Sequence, residues 1–396
     1  MRPILLNTVG TSLFRPNLAG LRRSLDEDLP KPEEQRSFRG DQRATAEALI
    51  PVFEARDWVG VVELLHQLPR GHRTCGAEIN SINSMIRQQH VPADAGLYFF
   101  HSDTPDGVAI AAVMRRYHAA CGHAPVEAVP IPGLQDKDPR QFRLHGLRNL
   151  AKLLCGRVRA HGAEACAFNA TGGYKAQVAI AVMLGQALSI PVYYMHEQFS
   201  EIISFPPLPI ALDFDVWMRA SGLLGVLERS AAEPIPRSYF DDDEWDERYE
   251  SLIETESIDG QPYVALSAAG QIFHETFRER FRVQRDRVLP PAAPASRKRA
   301  PGFKADEGHM LKHRAELEGY LAAVTRDVPA VVGCSTTYYN PDLQQQRRFR
   351  ETRGQIEGIY SNGSWTVKFR VDSTAETPSQ QAAVVAALNE WLTARD

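Results

Sequence analysis

No run of about 18 apolar residues occurs in this chain of 396 residues, which argues against a membrane-spanning helix. No signal-peptide pattern opens it, so the expectation is a soluble, cytoplasmic protein without membrane contact. The five cysteines (Cys75, Cys121, Cys155, Cys166, Cys334) are odd in number and form no CxxC. That speaks against a zinc knuckle or a disulfide frame and fits reduced thiols. Neither a GxxxxGK[ST] loop nor a GxGxxG fingerprint is present. The net charge of −4 excludes a uniformly basic nucleic-acid coat, although it leaves room for local patches.

The length itself predicts two or three domains. Over residues 1–212, short apolar runs alternate with helical periodicities. "RPILLNTVG", "GLYFF", "VEAVPIPGL", "AEACAFNATGG" and "PVYYMHE" read as strands. Residues 42–68, 107–120, the stretch from Asp138 (N-cap) and Pro139, and "YKAQVAIAVMLGQALSI" read as helices. Such alternation predicts an α/β fold with a parallel sheet. Ligands of these sheets bind beyond the carboxyl ends of the strands. The polar tips "NTVGTS", "HSDTPDG", "PGLQDKD" and "NATGGYK" should therefore line one edge.

"NATGGYK" carries the most chemistry. Gly172 and Gly173 allow a ligand close to main-chain N–H groups at a helix start, a setting suited to anions. Thr171 adds a hydroxyl and Lys175 a mobile cation. "NTVGTS" adds Thr8, Thr11 and Ser12. The alternative is an ordinary strand-to-helix turn with a solvated lysine.

"LLNTVGTSL", "GLQDKDPRQFRLHGLRNL" and "NATGGYKAQVAIAVMLGQALSIPVYYMHEQFSEIISFPPLPI" resemble the CRISPR-associated Rossmann-fold (CARF) sensors of type III systems, over residues 1–212. The resemblance implies a homodimer that binds a cyclic oligoadenylate second messenger, cyclic tetra-adenylate above all, as an allosteric activator. A two-fold ligand would fit a two-fold interface. No cofactor and no metal are implied. Carried over to this sequence, Thr8, Gly10, Thr11 and Ser12 would form one lip, and Thr171, Gly172, Gly173, Tyr174 and Lys175 the other. Asp103 and Gln135 are further candidates, with capping or turn roles as the alternative. Some such domains also open their ligand ring; Ser12 and Lys175 would be the residues for that step. "RQFRLH" matches the Arg-x4-6-His motif of the HEPN ribonucleases that many CARF proteins carry, but Arg140 and His145 fall inside the sensor and read as framework. His101 reads as a strand-end residue. His309 and His313 have helical spacing without a completing ligand.

Residues 213–288 carry an acidic, helix-like "FDDDEWDERYESLIE", a hairpin around Asp259-Gly260, and a helix capped by Ser267. The order suggests a winged-helix module acting as spacer and dimer coupler. Residues 289–302 read as a Pro/Ala-rich linker. Residues 303–396 predict a small α+β domain: helices, a hairpin at Asn362-Gly363, and a closing helix. From Gln344 to Arg370 six basic residues (Arg347, Arg348, Arg350, Arg353, Lys368, Arg370) face two acidic ones, Glu351 and Glu357. Tyr338, Tyr339, Tyr360 and Trp365 lie nearby, a mixture suited to phosphates and stacked bases. The alternative is a solvated basic face beside core aromatics.

In size and element order this segment resembles the RelE-type toxins, ribosome-dependent mRNA endonucleases that use clustered Lys, Arg and Tyr. The resemblance implies candidate catalytic residues Arg347, Arg350, Arg353, Tyr360, Lys368 and Arg370. It also implies a metal-independent endoribonuclease acting by 2′-hydroxyl attack on mRNA, with the ribosome as partner. Together these features predict a cyclic-oligoadenylate-activated ribonuclease of antiviral defence. Two other readings stand beside it: a ligand-gated winged-helix transcription regulator, and a ring nuclease with a non-catalytic tail.

Overall fold

A computed structural model describes residues 1–196, 201–208, 212–230, 233–303 and 313–395. The chain forms two compact units, Met1–Ala211 and Leu212–Asp396.

In unit 1 the strands β1 (Ile4–Thr8), β2 (Gly96–Ser102), β3 (Val126–Ile131), β4 (Cys166–Asn169), β5 (Val192–Met195) and β6 (Ile202–Phe205) form one sheet in the order β3-β2-β1-β4-β5-β6. All pairings are parallel except that of β6 with β5. The strand runs are short and apolar because the sheet is covered on both faces. Alternation along β1 sends Leu5 and Leu6 to opposite sides. Leu5, Leu97, Phe99 and Ala167 share a core with α1 (Leu21–Asp28), α2 (Asp41–Glu54), α3 (Trp58–Gln67), α4 (Gly76–Arg87) and α5 (Pro105–Ala120). The short α6 (Pro139–Gln141) leads through a wider turn into α7 (Leu147–His161), which packs on α8 (Lys175–Leu188). The Asp138 cap is present: its carboxylate accepts the N–H groups of Arg140 and Gln141.

The chain reverses direction across the sheet between β1 and β4. From β1 it proceeds outward through β2 and β3, then returns to β4 on the other side. Loops leaving two neighbouring strands at such a reversal diverge and leave a crevice. The loops that flank it here are "VGTS" and "TGGY".

Unit 2 holds the middle and C-terminal stretches around shared cores. Its elements are α9 (Phe214–Arg229), β7 (Ile235–Pro236), β8 (Ile253–Ile258), β9 (Gln261–Leu266), α10 (Ala268–Val288), α11 (Arg314–Asp327), β10 (Val331–Asn340), β11 (Arg348–Thr352), β12 (Gln355–Ser361), β13 (Thr366–Ser373) and α12 (Pro378–Thr393). β7, β9 and β8 form a three-stranded sheet. β10, β13, β12 and β11 form a four-stranded antiparallel one. The Asp259-Gly260 hairpin is present, with both residues at positive φ (52° and 77°), as a two-residue turn requires. Ser267 caps α10 through the N–H of Gly270 at 3.0 Å.

Three features differ from the sequence reading. The acidic stretch "FDDDEWDERYESLIE" is not an α-helix but two 3-10 turns, Asp242–Glu244 and Glu247–Leu252. Asp241, Asp242 and Asp246 are taken up in capping and ion pairing, which compete with helix. The Pro/Ala-rich stretch is tied to the β10 side of the larger sheet: Arg299 and Gly302 donate main-chain N–H groups to Val332 and Cys334 at 2.8 and 2.9 Å. Finally, α9 packs on α12 and β11, so the middle stretch completes the C-terminal core. Asn389 of α12 shows this most directly. Its side chain accepts the N–H of Phe349 and donates to the Phe349 carbonyl, both at 2.9 Å, and donates to Ser221 Oγ of α9 at 3.1 Å.

Candidate functional site

At the β1/β4 crevice the two glycine loops touch. A Cβ on Gly10 would lie 2.5 Å from the N of Gly173, and one on Gly172 would lie 2.1 Å from Glu78 Oε1. Only glycine permits both approaches. Gly173 also has φ +101°, a conformation that other residues rarely adopt. Lys175 opens α8 directly after this turn and is exposed. The Tyr174 N–H donates to Gln177 Oε1 at 2.7 Å, which fixes the first turn of α8. A helix start, bare backbone and an exposed ammonium thus converge on one spot, an arrangement that attracts phosphate oxygens.

The remaining candidates have separate placements. Thr8 is buried, and its hydroxyl donates to the carbonyl of Gly172, so it ties the two loops together from beneath. Thr11 is exposed, and its carbonyl accepts the N–H groups of Phe14 and Arg15. Ser12 Oγ reaches Glu78 Oε2 at 3.4 Å. The Thr171 hydroxyl donates to Asn169 Oδ1 at 2.7 Å and accepts the Met195 N–H at 3.0 Å. Gln135 serves a turn: its Oε1 accepts the N–H groups of Lys137 and Asp138. Asp103 is exposed after β2, while Thr104 provides the cap of α5. The decoys also have places. His101 is buried within β2, with Nδ1 at 3.0 Å from the Ser102 carbonyl, and His313 stacks on Trp365. His309 lies outside the described residues. Among the described residues no group of three or more His, Cys, Asp or Glu could hold a metal ion. Nor is any helix among the described residues long and apolar enough to cross a membrane.

The wall of the crevice came from a stretch that the sequence reading passed over. In "GAEINSINSMIR" (α4), Glu78 is fully buried and its Oε1 accepts the Gly10 N–H at 2.7 Å. Burial pushes its carboxyl up, opposed by the hydrogen bonds from Gly10 and Ser12. Ser81 of the same helix accepts from Asn169 Nδ2 at 2.9 Å, and Asn169 also donates to Asn7 Oδ1 at 3.0 Å. Beside Ser12 a cavity of about 330 Å³ opens, walled by Arg73, Asn80, Asn83, Arg87 and Met195. The available signal was a helix whose apolar positions (Ile79, Ile82, Met85) alternate with Glu, Asn and Ser.

In unit 2 the six basic and aromatic candidates are not gathered. Tyr360 points to the helix-covered face, where its hydroxyl donates to Glu316 and its ring lies under the Arg347 guanidinium at 4.5 Å. Arg350, Lys368 and Arg370 stand on the opposite face. Arg353 sits in the β11–β12 turn at φ 49°. The Tyr338 ring, 44% exposed, lies with its centroid 5.9 Å from Lys368 Nζ. Arg350 and Lys368 are ion-paired with the acidic stretch. Asp241 Oδ2 lies 2.6 Å from Arg350 and 2.7 Å from Lys368. Burial pushes the Asp241 carboxyl up, but the hydrogen bonds from Lys368 and Arg350 outweigh it and bring it to about 2.

Residues 73–208 match the model of a family described as CRISPR-associated protein (Cas_APE2256). The match begins just before α4 and runs past β6, so it takes in Glu78 and the whole "NATGGYK" loop. No curated protein matches the chain.

Proposed function

We propose that this is a CRISPR-related sensor–effector protein. Unit 1 binds a cyclic oligoadenylate at the β1/β4 crevice, and unit 2 cleaves RNA when that ligand is bound. The observation that carries the reading is the contact of the two glycine loops where the sheet order reverses, with Lys175 at the start of α8 beside them. The family match over residues 73–208, which takes in Gly172, Gly173 and Lys175 but begins after the Gly10 loop, supports it. The main-chain N–H group of Gly173 would take a phosphodiester oxygen, and Lys175 would neutralise its charge. A homodimer would present two such crevices to a two-fold ligand. Slow ring opening would need Lys175 beside the developing charge and Ser12 to position the 2′-hydroxyl.

The ribonuclease reading of unit 2 rests on the basic outer face of its four-stranded sheet. Arg350, Lys368 and Arg370 would contact phosphates there, with Tyr338 in place of Tyr360 as the stacking ring. Cleavage would join the 2′-oxygen to the adjacent phosphorus and break the bond to the 5′-oxygen. The 2′-oxygen loses a proton and the 5′-oxygen gains one. The winged-helix-like arrangement of α9, α10 and the three-stranded sheet would couple ligand occupancy to this face.

The test is mRNA integrity in a translating extract with the full chain, alone and with cyclic tetra-adenylate or cyclic hexa-adenylate. Cleavage only with one ligand is the expected result and names the activator. Tight ligand binding with intact mRNA would remove the ribonuclease reading. Ligand-dependent binding to a palindromic duplex would then favour the transcription regulator, and ring opening alone the ring nuclease.

A further inference from the structure

The outer face of the large sheet is a grid set by strand register. One row across it reads Arg350, Glu357, Arg370, Ser335; the next reads Arg348, Ile359, Lys368, Tyr338. Two carboxylates sit on this grid in different surroundings: Glu244, from the 3-10 turn Asp242–Glu244, and Asp241, which caps that turn. Glu244 is enclosed: its Oε1 lies 2.7 Å from Nη2 of Arg348, whose side chain has no solvent exposure. Arg348 also donates to the Tyr239 carbonyl at 2.9 Å and lies over the Phe240 ring. This pair is built into the packing. Asp241 stands at the solvent edge instead, with a side chain 37% exposed, and a single oxygen bridges Arg350 and Lys368. Arg350, whose side chain is only 6% exposed, holds further partners in Glu357 at 2.6 Å and Glu244 Oε1 at 3.3 Å, so it would stay paired without Asp241.

We propose that Asp241 occupies a phosphate seat formed by Lys368 and Arg350, and that it shuts a surface whose partner is single-stranded RNA. The inference deepens the ribonuclease reading of unit 2 and rests on it. One oxygen shared by two cations, at 2.6 and 2.7 Å, is the geometry a phosphate oxygen would take. Arg370, two residues along β13 from Lys368, continues the cationic row toward a second phosphate. Tyr338 beside Lys368 offers a face for a base. The occluding turn is held down by Arg237, which pairs with Asp242 at 3.1 Å and lies over Trp245. Opening requires the turn around Asp241 to lift, while Glu244 and Arg348 remain as its anchor. A carboxylate tethered in the seat competes at high effective concentration, so RNA binds weakly until it leaves.

The experiment measures fluorescence anisotropy of a fluorescein-labelled single-stranded RNA 20-mer on the full chain without activator. Asp241→Asn is the main variant, because asparagine caps a helical turn as well as aspartate does. Asp241→Ser is the second variant should the first fail to fold. Asp241→Asn should bind about tenfold tighter than the unaltered chain. Adding Lys368→Gln should remove that gain. Suppose both Asp241 variants bind as weakly as the unaltered chain, while cyclic tetra-adenylate still switches on RNA cleavage. The occlusion is then wrong and the ribonuclease reading survives. If no variant binds or cleaves RNA with or without ligand, both fall together. An equal gain for duplex DNA would overturn the assignment of RNA as partner.

Discussion

Glu78 Oε1 accepts the main-chain N–H of Gly10 at 2.7 Å, and a Cβ on Gly172 would lie 2.1 Å from that same oxygen. One buried carboxylate thus joins the two loops of the candidate ligand site. Burial raises its pKa above the ordinary 4.5. A carboxyl raised in the folded state contributes stability below the unfolded value, and that contribution is lost as pH rises through the folded value. Urea midpoints of the unaltered chain should therefore fall between pH 5 and pH 8 more than those of Glu78→Gln, which keeps an acceptor for Gly10. Parallel pH profiles for the two proteins would contradict this.

Gly172→Ala tests the close approach. The added methyl would meet Glu78 Oε1 at 2.1 Å, so α4 or the loop must move. Overpacking of this kind costs about 1–3 kcal/mol. Chemical denaturation should show that loss, and calorimetry should show no binding of cyclic tetra-adenylate. Unchanged binding would mean that the ligand does not use this loop.

Lys175 is exposed, so its removal should leave stability unaltered and strike the ligand alone. Losing one charge-assisted hydrogen bond to a phosphate should weaken binding of cyclic tetra-adenylate by about 10–100-fold in Lys175→Ala. The loss should shrink as salt rises. A titration at two ionic strengths checks both expectations.

In unit 2, Trp217 Nε1 donates to His274 Nδ1 at 3.0 Å, deep in the core. Burial, then the Arg278 guanidinium, lowers the His274 pKa from 6.5 to about 3, against the pull of Glu228. A histidine depressed in the folded state contributes stability above 6.5 and loses it as pH falls toward 3. The unfolding midpoint should drop between pH 7 and pH 5, and His274→Gln should flatten that drop. Glu228, brought to about 2 by Arg278 against burial, titrates in a lower window and does not obscure the comparison.

The strands and turns of unit 1 were legible because each has a local cause. Leu5 and Leu6 mark a strand covered on both faces and Asp138 and Pro139 a helix start; in unit 2, Asp259-Gly260 marks a two-residue hairpin in the same way. The crevice was legible in its loops but not in its wall. Glu78 lies 94 residues before Gly172, and nothing local marks it as the carboxylate that meets Gly10. The basic candidates of unit 2 show the same limit. A count of charges from Gln344 to Arg370 cannot tell that Tyr360 and Lys368 occupy opposite faces, because that depends on register. Nor can it tell that Asp241 neutralises Arg350 from 109 positions away. The acidic stretch itself was misread as helical, because the local caps of Asp241 and Asp246 and the ion pair of Asp241 with distant strands decide its shape.

The bond from Asn389 to Ser221 also bears on how such a chain can be recombined. Helix α12 buries Ala382, Ala383, Ala386 and Ala387 in one cluster with α9, which lies at the far end of unit 2. A cut near residue 303 would strip that face bare and leave the Asn389 amide without Ser221. The C-terminal domain is therefore not a cassette that can be exchanged at its proline-rich border. Any graft of unit 2 onto another protein has to be made before Phe214, where one unit ends and the other begins.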